Sequence, residues 1–335
     1  MKNKKENKKN VNKKKIIIIV SIILAVLLAI GGSLALWFTR YMRDKNDTEE
    51  LFIENIAKID YANTIETAVP QTALYDVVQE HFSSELPEGK TVKKAIIIGY
   101  DGCRADILTE IQDGNSGIDM LMDDGVELYL SYCGGVPYPE KNTQDTSTAP
   151  GWCSILTGKW ADETGITGNS ITKEIEPKTL LVSLLEDGLA DSASFITRWK
   201  GHFENDDSTY IGEKEYCEKN DLDVTYNRCD DDEASFDATI AEIKEADCSD
   251  FIFVIYEPTD ATGHDLGFSS NSPYYKEAFA EADSYGYETI KAIRERETYE
   301  EEDWLIIITS DHGGIKGGHG GDSIQERMTF YVIGQ

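Results

Sequence analysis

Apolar residues fall in this chain into several short runs and one long one. Residues 95–99 (AIIIG), 251–256 (FIFVIY) and 305–309 (LIIIT) are apolar almost throughout and rich in β-branched side chains. That is the pattern of strands buried on both faces. Weaker runs at 126–130, 194–198 and 328–333 predict further strands. Between them the spacing turns helical. Residues 47–60 put Leu51, Phe52, Ile56 and Ile59 on one side of a helix. Residues 73–82, 178–186, 234–245 and 274–296 predict others, and 153–157 the first turns of one more. Strands alternating with helices predict an α/β fold, a largely parallel central sheet with helices on both faces. No internal repeat interrupts this order.

The long run, 16–38 (IIIIVSIILAVLLAIGGSLALWF), carries no charge. At about 1.5 Å per residue it is long enough to span a hydrocarbon core of about 30 Å. Residues 1–15 carry eight lysines and one glutamate, and they outweigh Arg40, Arg43 and Lys45 beyond the run. By that asymmetry the amino terminus stays in the cytoplasm and everything after the run lies outside, anchored in the cell membrane by a single pass. A signal peptide cut after Ser33-Leu34-Ala35 is the alternative. The expected organisation is a basic cytoplasmic tail (1–15), a transmembrane signal-anchor helix (16–38), stalk or packing helices (39–92) and a catalytic domain (93–335).

Charge narrows the function. The net charge is -30 despite the basic tail, so the outer part is strongly acidic. It has no basic patch with interleaved aromatics, which excludes a nucleic-acid polymer as partner. An anionic substrate would have to be attracted by bound metal ions. Six cysteines lie in the outer part, where disulfides are permitted, and none is in a CxxC pair. Cys217 and Cys229 bracket a polar loop and are the candidate pair; buried free thiols are the alternative.

Each of the three apolar strands delivers an aspartate near its carboxyl end: Asp101, Asp260 and Asp311. Ligands bind at such ends in open α/β sheets. Three of the five histidines, His264, His312 and His319, sit in the same loops. Carboxylate and imidazole together suit a divalent ion such as zinc. The loop 257–264 spaces Asp260 and His264 four apart, so that both can reach one ion. Thr148, in TSTAPGW, stands at the amino end of a helix, which favours an alkoxide or a phosphoryl oxygen; a plain helix cap is the other reading. His81 is read as a surface residue and His202 as solvated in a polar loop. Two ligand sets with a threonine between them is the layout for two-metal phosphoryl transfer.

With these motifs in place, the chain resembles the alkaline phosphatase superfamily, and most its nucleotide pyrophosphatase/phosphodiesterase (type I phosphodiesterase) branch. The resemblance runs from about Lys94 onward and rests on YDGCRADIL (100–108), TSTAPGWCSILTG (146–158), EPTDATGH (257–264), SDHGG (310–314) and GGHGG (317–321). It implies two divalent ions, zinc in the family. One would be held by Asp260, His264 and His319, the other by Asp101, Asp311, His312 and the Thr148 hydroxyl. It implies Thr148 as a nucleophile that becomes a phospho-threonine, with Asn169 and the Ala149 amide on the phosphoryl oxygens. The expected activity is hydrolysis of phosphodiester or pyrophosphate bonds in a small anionic phosphate ester, nucleotides included.

The chain departs from the family pattern at Gly151 and Trp152, where relatives usually carry Asn and an aromatic or His. It also lacks an evident long insertion. A phosphomonoesterase or a phosphonate hydrolase would use the same metal core. An envelope phosphoglycerol or phosphoethanolamine transferase would share the threonine, usually behind several membrane spans. A sulfatase would need Cys or Ser followed by x-Pro-x-Arg, and Trp152 stands where the Arg should be. A non-catalytic surface protein would be expected to have lost a ligand, and all seven metal-site positions are filled.

Overall fold

The computed structural model describes residues 45–169 and 178–335, with a few isolated positions between 21 and 39. The basic tail and the expected membrane-spanning run lie almost wholly outside the described residues. Among the described residues no helix is long and apolar enough to cross a membrane.

Among the described residues, eight strands form one sheet: β1 (Val69–Pro70), β2 (Val92–Tyr100), β3 (Leu128–Tyr132), β4 (Ala193–Thr197), β5 (Val224–Arg228), β6 (Phe251–Tyr256), β7 (Glu302–Thr309) and β8 (Met328–Gly334). Their order across the sheet is β1-β3-β8-β7-β2-β6-β4-β5. All neighbours are parallel except β8, which runs antiparallel to β7 and to β3. The three fully apolar strands are therefore adjacent at the centre, with β2 between β6 and β7. Gly99 pairs with Thr309 and Tyr100 with Tyr256, so the three strands end side by side. Neighbouring strands lie about 4.8 Å apart, which brings all three strand ends within about 10 Å.

Alternate residues of these strands feed two cores. Ile96, Ile98, Tyr100, Val254 and Ile308 pack with Phe279, Ile290 and Ile293 of the long helix Pro273–Arg294. Ile97, Phe253, Ile255 and Ile307 face the other way, toward Trp152 and Ile155 of the helix Thr148–Thr157 and Leu181 and Leu184 of Leu180–Glu186. Fully burying one such side chain is worth about 1.5–3 kcal/mol, which is why these strands tolerate almost no polar residue.

Asp47–Gln335 form one compact unit, separate from Met1–Asn46. Within it, residues ahead of β2 are built into the domain. Val69–Pro70 adds an edge strand beside β3, and Phe52 of the helix Glu49–Ile56 is fully buried. Asp47 is also buried. It takes Arg104 Nη1 and Nη2 at 2.7 and 3.0 Å, while Asp106 takes Nε and Nη2 at 2.8 and 2.9 Å. Arg104 is fully buried, and its two carboxylate partners hold it charged.

Several expectations are corrected. The helix expected from 153 starts at Thr148, because Pro150 falls in its first turn, where no intrahelical donor is lost. Residues 257–264 are not a loop: Pro258–Leu266 is a helix with proline at its first position. His202 is not solvated but fully buried, ringed by Phe195, Trp199 and Tyr210 with centroids at 5.2, 4.8 and 5.7 Å. His81 is no surface residue either: its Nε2 sits 3.1 Å from the carbonyls of both Lys94 and Asp303. The cysteines are free and buried. Cys217 lies 3.7 Å from the Tyr226 hydroxyl, whereas Cys229 packs into the other core, so the expected pair does not form.

Candidate active site

The carboxyl ends of β2, β6 and β7 bring the expected residues together. From β2 comes Asp101, from β7 Asp311 and His312; the helix after β6 supplies Asp260 and His264. His319 enters from the glycine-rich loop beyond β7, and Thr148 from the start of its helix. Two groups have ligand atoms within 4.8 Å of one another: Asp101 with Asp311 and His312, and Asp260 with His312 and His319. His264 completes the second group, its Nε2 lying 3.4 Å from Asp260 Oδ2 and 3.1 Å from His319 Nε2. His312 stands at the border, its Nε2 3.5 Å from Asp101 Oδ1, 3.4 Å from Asp311 Oδ2 and 3.4 Å from Thr148 Oγ1.

One arrangement is common to all three imidazoles. Nδ1 of His312 faces the Gly313 carbonyl at 2.7 Å, that of His319 the Thr146 carbonyl at 3.2 Å, and that of His264 the Gly317 carbonyl at 3.3 Å. A carbonyl can only accept, so each neutral ring carries its proton on Nδ1 and turns a lone pair at Nε2 inward. His264 and His319 then present two lone pairs to each other at 3.1 Å. Only a cation or a proton between them relieves that.

The carboxylates point the same way. Asp101 Oδ1, Asp260 Oδ1 and Asp311 Oδ2 are buried without a hydrogen-bond partner. Their companion oxygens are occupied where Trp152 Nε1 donates to Asp101 Oδ2 at 2.9 Å and the Gly102 amide to Asp311 Oδ1 at 3.1 Å. Burial, reinforced by the charge of Asp260, pushes the Asp101 carboxyl well up; burial and the charge of Asp101 do the same to Asp311. Asp260 rises to about 7 through burial and the nearby Glu257. Burial and the neighbouring imidazoles hold His312 well below the usual range and bring His319 to about 4. Acids forced toward neutrality beside bases unable to protonate form a cluster short of positive charge. Divalent cations fit it, with nitrogen and oxygen donors of the kind zinc accepts.

Thr148 is the first residue of its helix; Ser147 holds the cap position without a side-chain hydrogen bond, so neither hydroxyl is tied up in capping. The Ala149 amide donates to Asn169 Oδ1 at 2.8 Å, which holds Asn169 beside the threonine but occupies the amide expected to be free. Gly151 has a packing reason: a Cβ there would lie 2.8 Å from both the Cβ and the carbonyl oxygen of Asp311.

Sequence reasoning missed a neighbouring charged cluster. Arg198, just past β4, places Nε 3.0 Å from Glu257 Oε2 and 3.3 Å from Asp232 Oδ2. Glu257 is pushed up to about 8 by burial and by Asp101. Its place three residues before Asp260 was the available signal. Trp152 was noted only as a departure.

A family model described as type I phosphodiesterase / nucleotide pyrophosphatase matches residues 95–320. No curated protein matches the chain. Among solved structures, murine ectonucleotide pyrophosphatase/phosphodiesterase 5 is similar at 20% identity and a TM-score of 0.45, over 66% of this chain and 57% of that one. The chain thus spans little more than half of that protein's length. The lipoteichoic acid synthase LtaP of Listeria monocytogenes is similar at 16% identity and 0.46, over 77% and 71%. The phosphonate monoester hydrolase of Agrobacterium radiobacter is similar at 15% and 0.44, over 72% and 67%.

Proposed function

The chain belongs to the type I phosphodiesterase / nucleotide pyrophosphatase family, and from that premise we propose that it is a metal-dependent hydrolase of phosphodiester or pyrophosphate bonds working through a phospho-Thr148 intermediate. One observation carries the reading. Three imidazole lone pairs and three unpartnered carboxylate oxygens converge beside the hydroxyl of a threonine that opens a helix.

Asp260, His264 and His319 would hold one divalent ion, and Asp101, Asp311 and His312 the other. When bound, such ions supply positive charge that favours a threonine alkoxide and a departing oxygen. The rest is done by the chain. Thr148 as a residue is only 6% exposed, which limits the bulk water around it. The helix start adds a favourable field for negative charge on the oxygens of a bound phosphoryl group. Asn169, whose Oδ1 accepts from the Ala149 amide at 2.8 Å, would turn its Nδ2 donors toward one of those oxygens. Thr148 Oγ1, giving up its proton to solvent, forms the new bond to phosphorus as the bond to the leaving oxygen breaks, and that oxygen takes up a proton from water. Water then cleaves the phospho-threonine, restoring the hydroxyl and releasing a phosphate monoester. The lysine tail and uncharged run support a single-pass anchor with this site outside the cell.

Thr148→Ala tests the reading. Because the Thr148 hydroxyl makes no capping hydrogen bond, stability should change by no more than about 1 kcal/mol. Turnover of an aryl phosphodiester should fall on the order of a thousandfold or more. Thr148→Ser should keep part of the activity, and wild-type protein quenched in turnover should carry the substrate's arylphosphoryl group on the Thr148 peptide. An active Thr148→Ala protein would refute the assignment.

A further inference from the structure

Gly151 and Trp152 follow the nucleophile closely on its helix, and the second has a specific contact. Trp152 is fully buried, one helical turn beyond Thr148. Its indole N–H is a donor only, and a buried donor needs an acceptor. The acceptor is Asp101 Oδ2, at 2.9 Å. This leaves Oδ1 as the oxygen that faces His312 Nε2 at 3.5 Å. The ring itself is held from below and from the side. A Cβ on Gly99 of β2 would lie 2.3 Å from the far carbon of the six-membered ring, so only glycine leaves the indole its place. Phe253 of β6 meets the ring edge-on, with centroids 5.4 Å apart.

We propose that Trp152 is a positioning residue of the metal centre, its indole N–H fixing Asp101 as a one-oxygen ligand on the helix that also presents Thr148. The proposal rests on the metal-dependent reading above. The Gly102 amide treats Asp311 in the same way, so both carboxylates keep one oxygen tied and turn the other inward. They differ in one respect. The tie on Asp311 comes from main chain, and the tie on Asp101 from a side chain. Only the second can be removed by substitution. Losing it would free Asp101 to rotate or to offer both oxygens, and outer contacts of this kind typically govern about 10–100-fold in metal affinity. Because indole and threonine share one rigid turn, the same contact ties the spacing of nucleophile and ligand to a single element.

The test compares the full chain with its Trp152→Phe variant by zinc competition against a chromophoric chelator. Phenylalanine retains a ring over Gly99 and against Phe253 and removes the donor. The expected result is an affinity about 10–100-fold weaker for one zinc, with the zinc of Asp260, His264 and His319 bound as in the wild type. A merely structural role would weaken both sites or neither. Two tight zinc ions in the variant would overturn the proposal and leave the metal reading standing. A wild-type chain that binds no zinc would overturn both. The wild type provides a second arm that needs no variant: at least one indole N–H resonance should shift as zinc is added. Zinc binding that moves none of them would equally overturn the proposal.

Discussion

Replacing His202 by phenylalanine should make the protein markedly less sensitive to acid. The imidazole is fully buried and neither ring nitrogen has a hydrogen-bond partner. Burial lowers its pKa from the ordinary 6.5 to about 3. The folded state thus keeps the ring neutral, while the unfolded chain protonates it below about 6.5. The stability this provides is complete above that pH and is lost as the pH falls toward 3. Each tenfold difference in proton affinity is worth about 1.4 kcal/mol. By pH 4.5 the wild type should have lost roughly 3 kcal/mol through His202, and in the limit of full protonation about 5 kcal/mol. Phenylalanine suits a pocket already lined by Phe195, Trp199 and Tyr210 and has nothing to protonate. Urea unfolding of both proteins in chelator, at steps from pH 7.5 to 4.5, isolates the effect. Every other carboxyl and imidazole titrates in both and cancels in the difference. The gap should widen steadily below pH 6.5. A gap that stays constant over that range would refute the reasoning.

Two other outcomes are expected from the same structure. Asp47→Ala strips one of two carboxylates from the buried Arg104 and should cost about 3–5 kcal/mol of unfolding free energy, the usual penalty for breaking a buried pair; a loss under about 1 kcal/mol would argue against it. Protease added to intact cells should release the acidic domain and spare the lysine tail, whereas a mature protein beginning near Leu36 would establish cleavage instead.

Much of the architecture was legible because strands buried on both faces cannot carry polar residues, so 95–99, 251–256 and 305–309 stood out. The candidate metal-binding positions Asp101, Asp311 and His312 were legible because Asp and His directly after such apolar runs have few other reasons to be there. The pairing of the strands was not, since it joins residues roughly 150 to 210 positions apart and no local pattern encodes it. The helix Pro258–Leu266 was hidden because glycine and polar residues leave it no apolar stripe. His202 misled because Lys200, Gly201, Glu204 and Asn205 read as a solvated loop, yet the chain folds that ring inward between three aromatics. Trp152 could be seen only as an oddity until Gly99 and Asp101 lay beneath it.

The carbonyls that meet the three imidazoles belong to Thr146, Gly313 and Gly317. Whatever side chain mutation places at those positions, the carbonyl stays. The orientation of each ring is therefore shielded from ordinary genetic drift and changes only if the backbone takes another path. Any lineage that reshapes this cluster has its openings elsewhere: in the three aspartates, or in the single indole that donates to one of them.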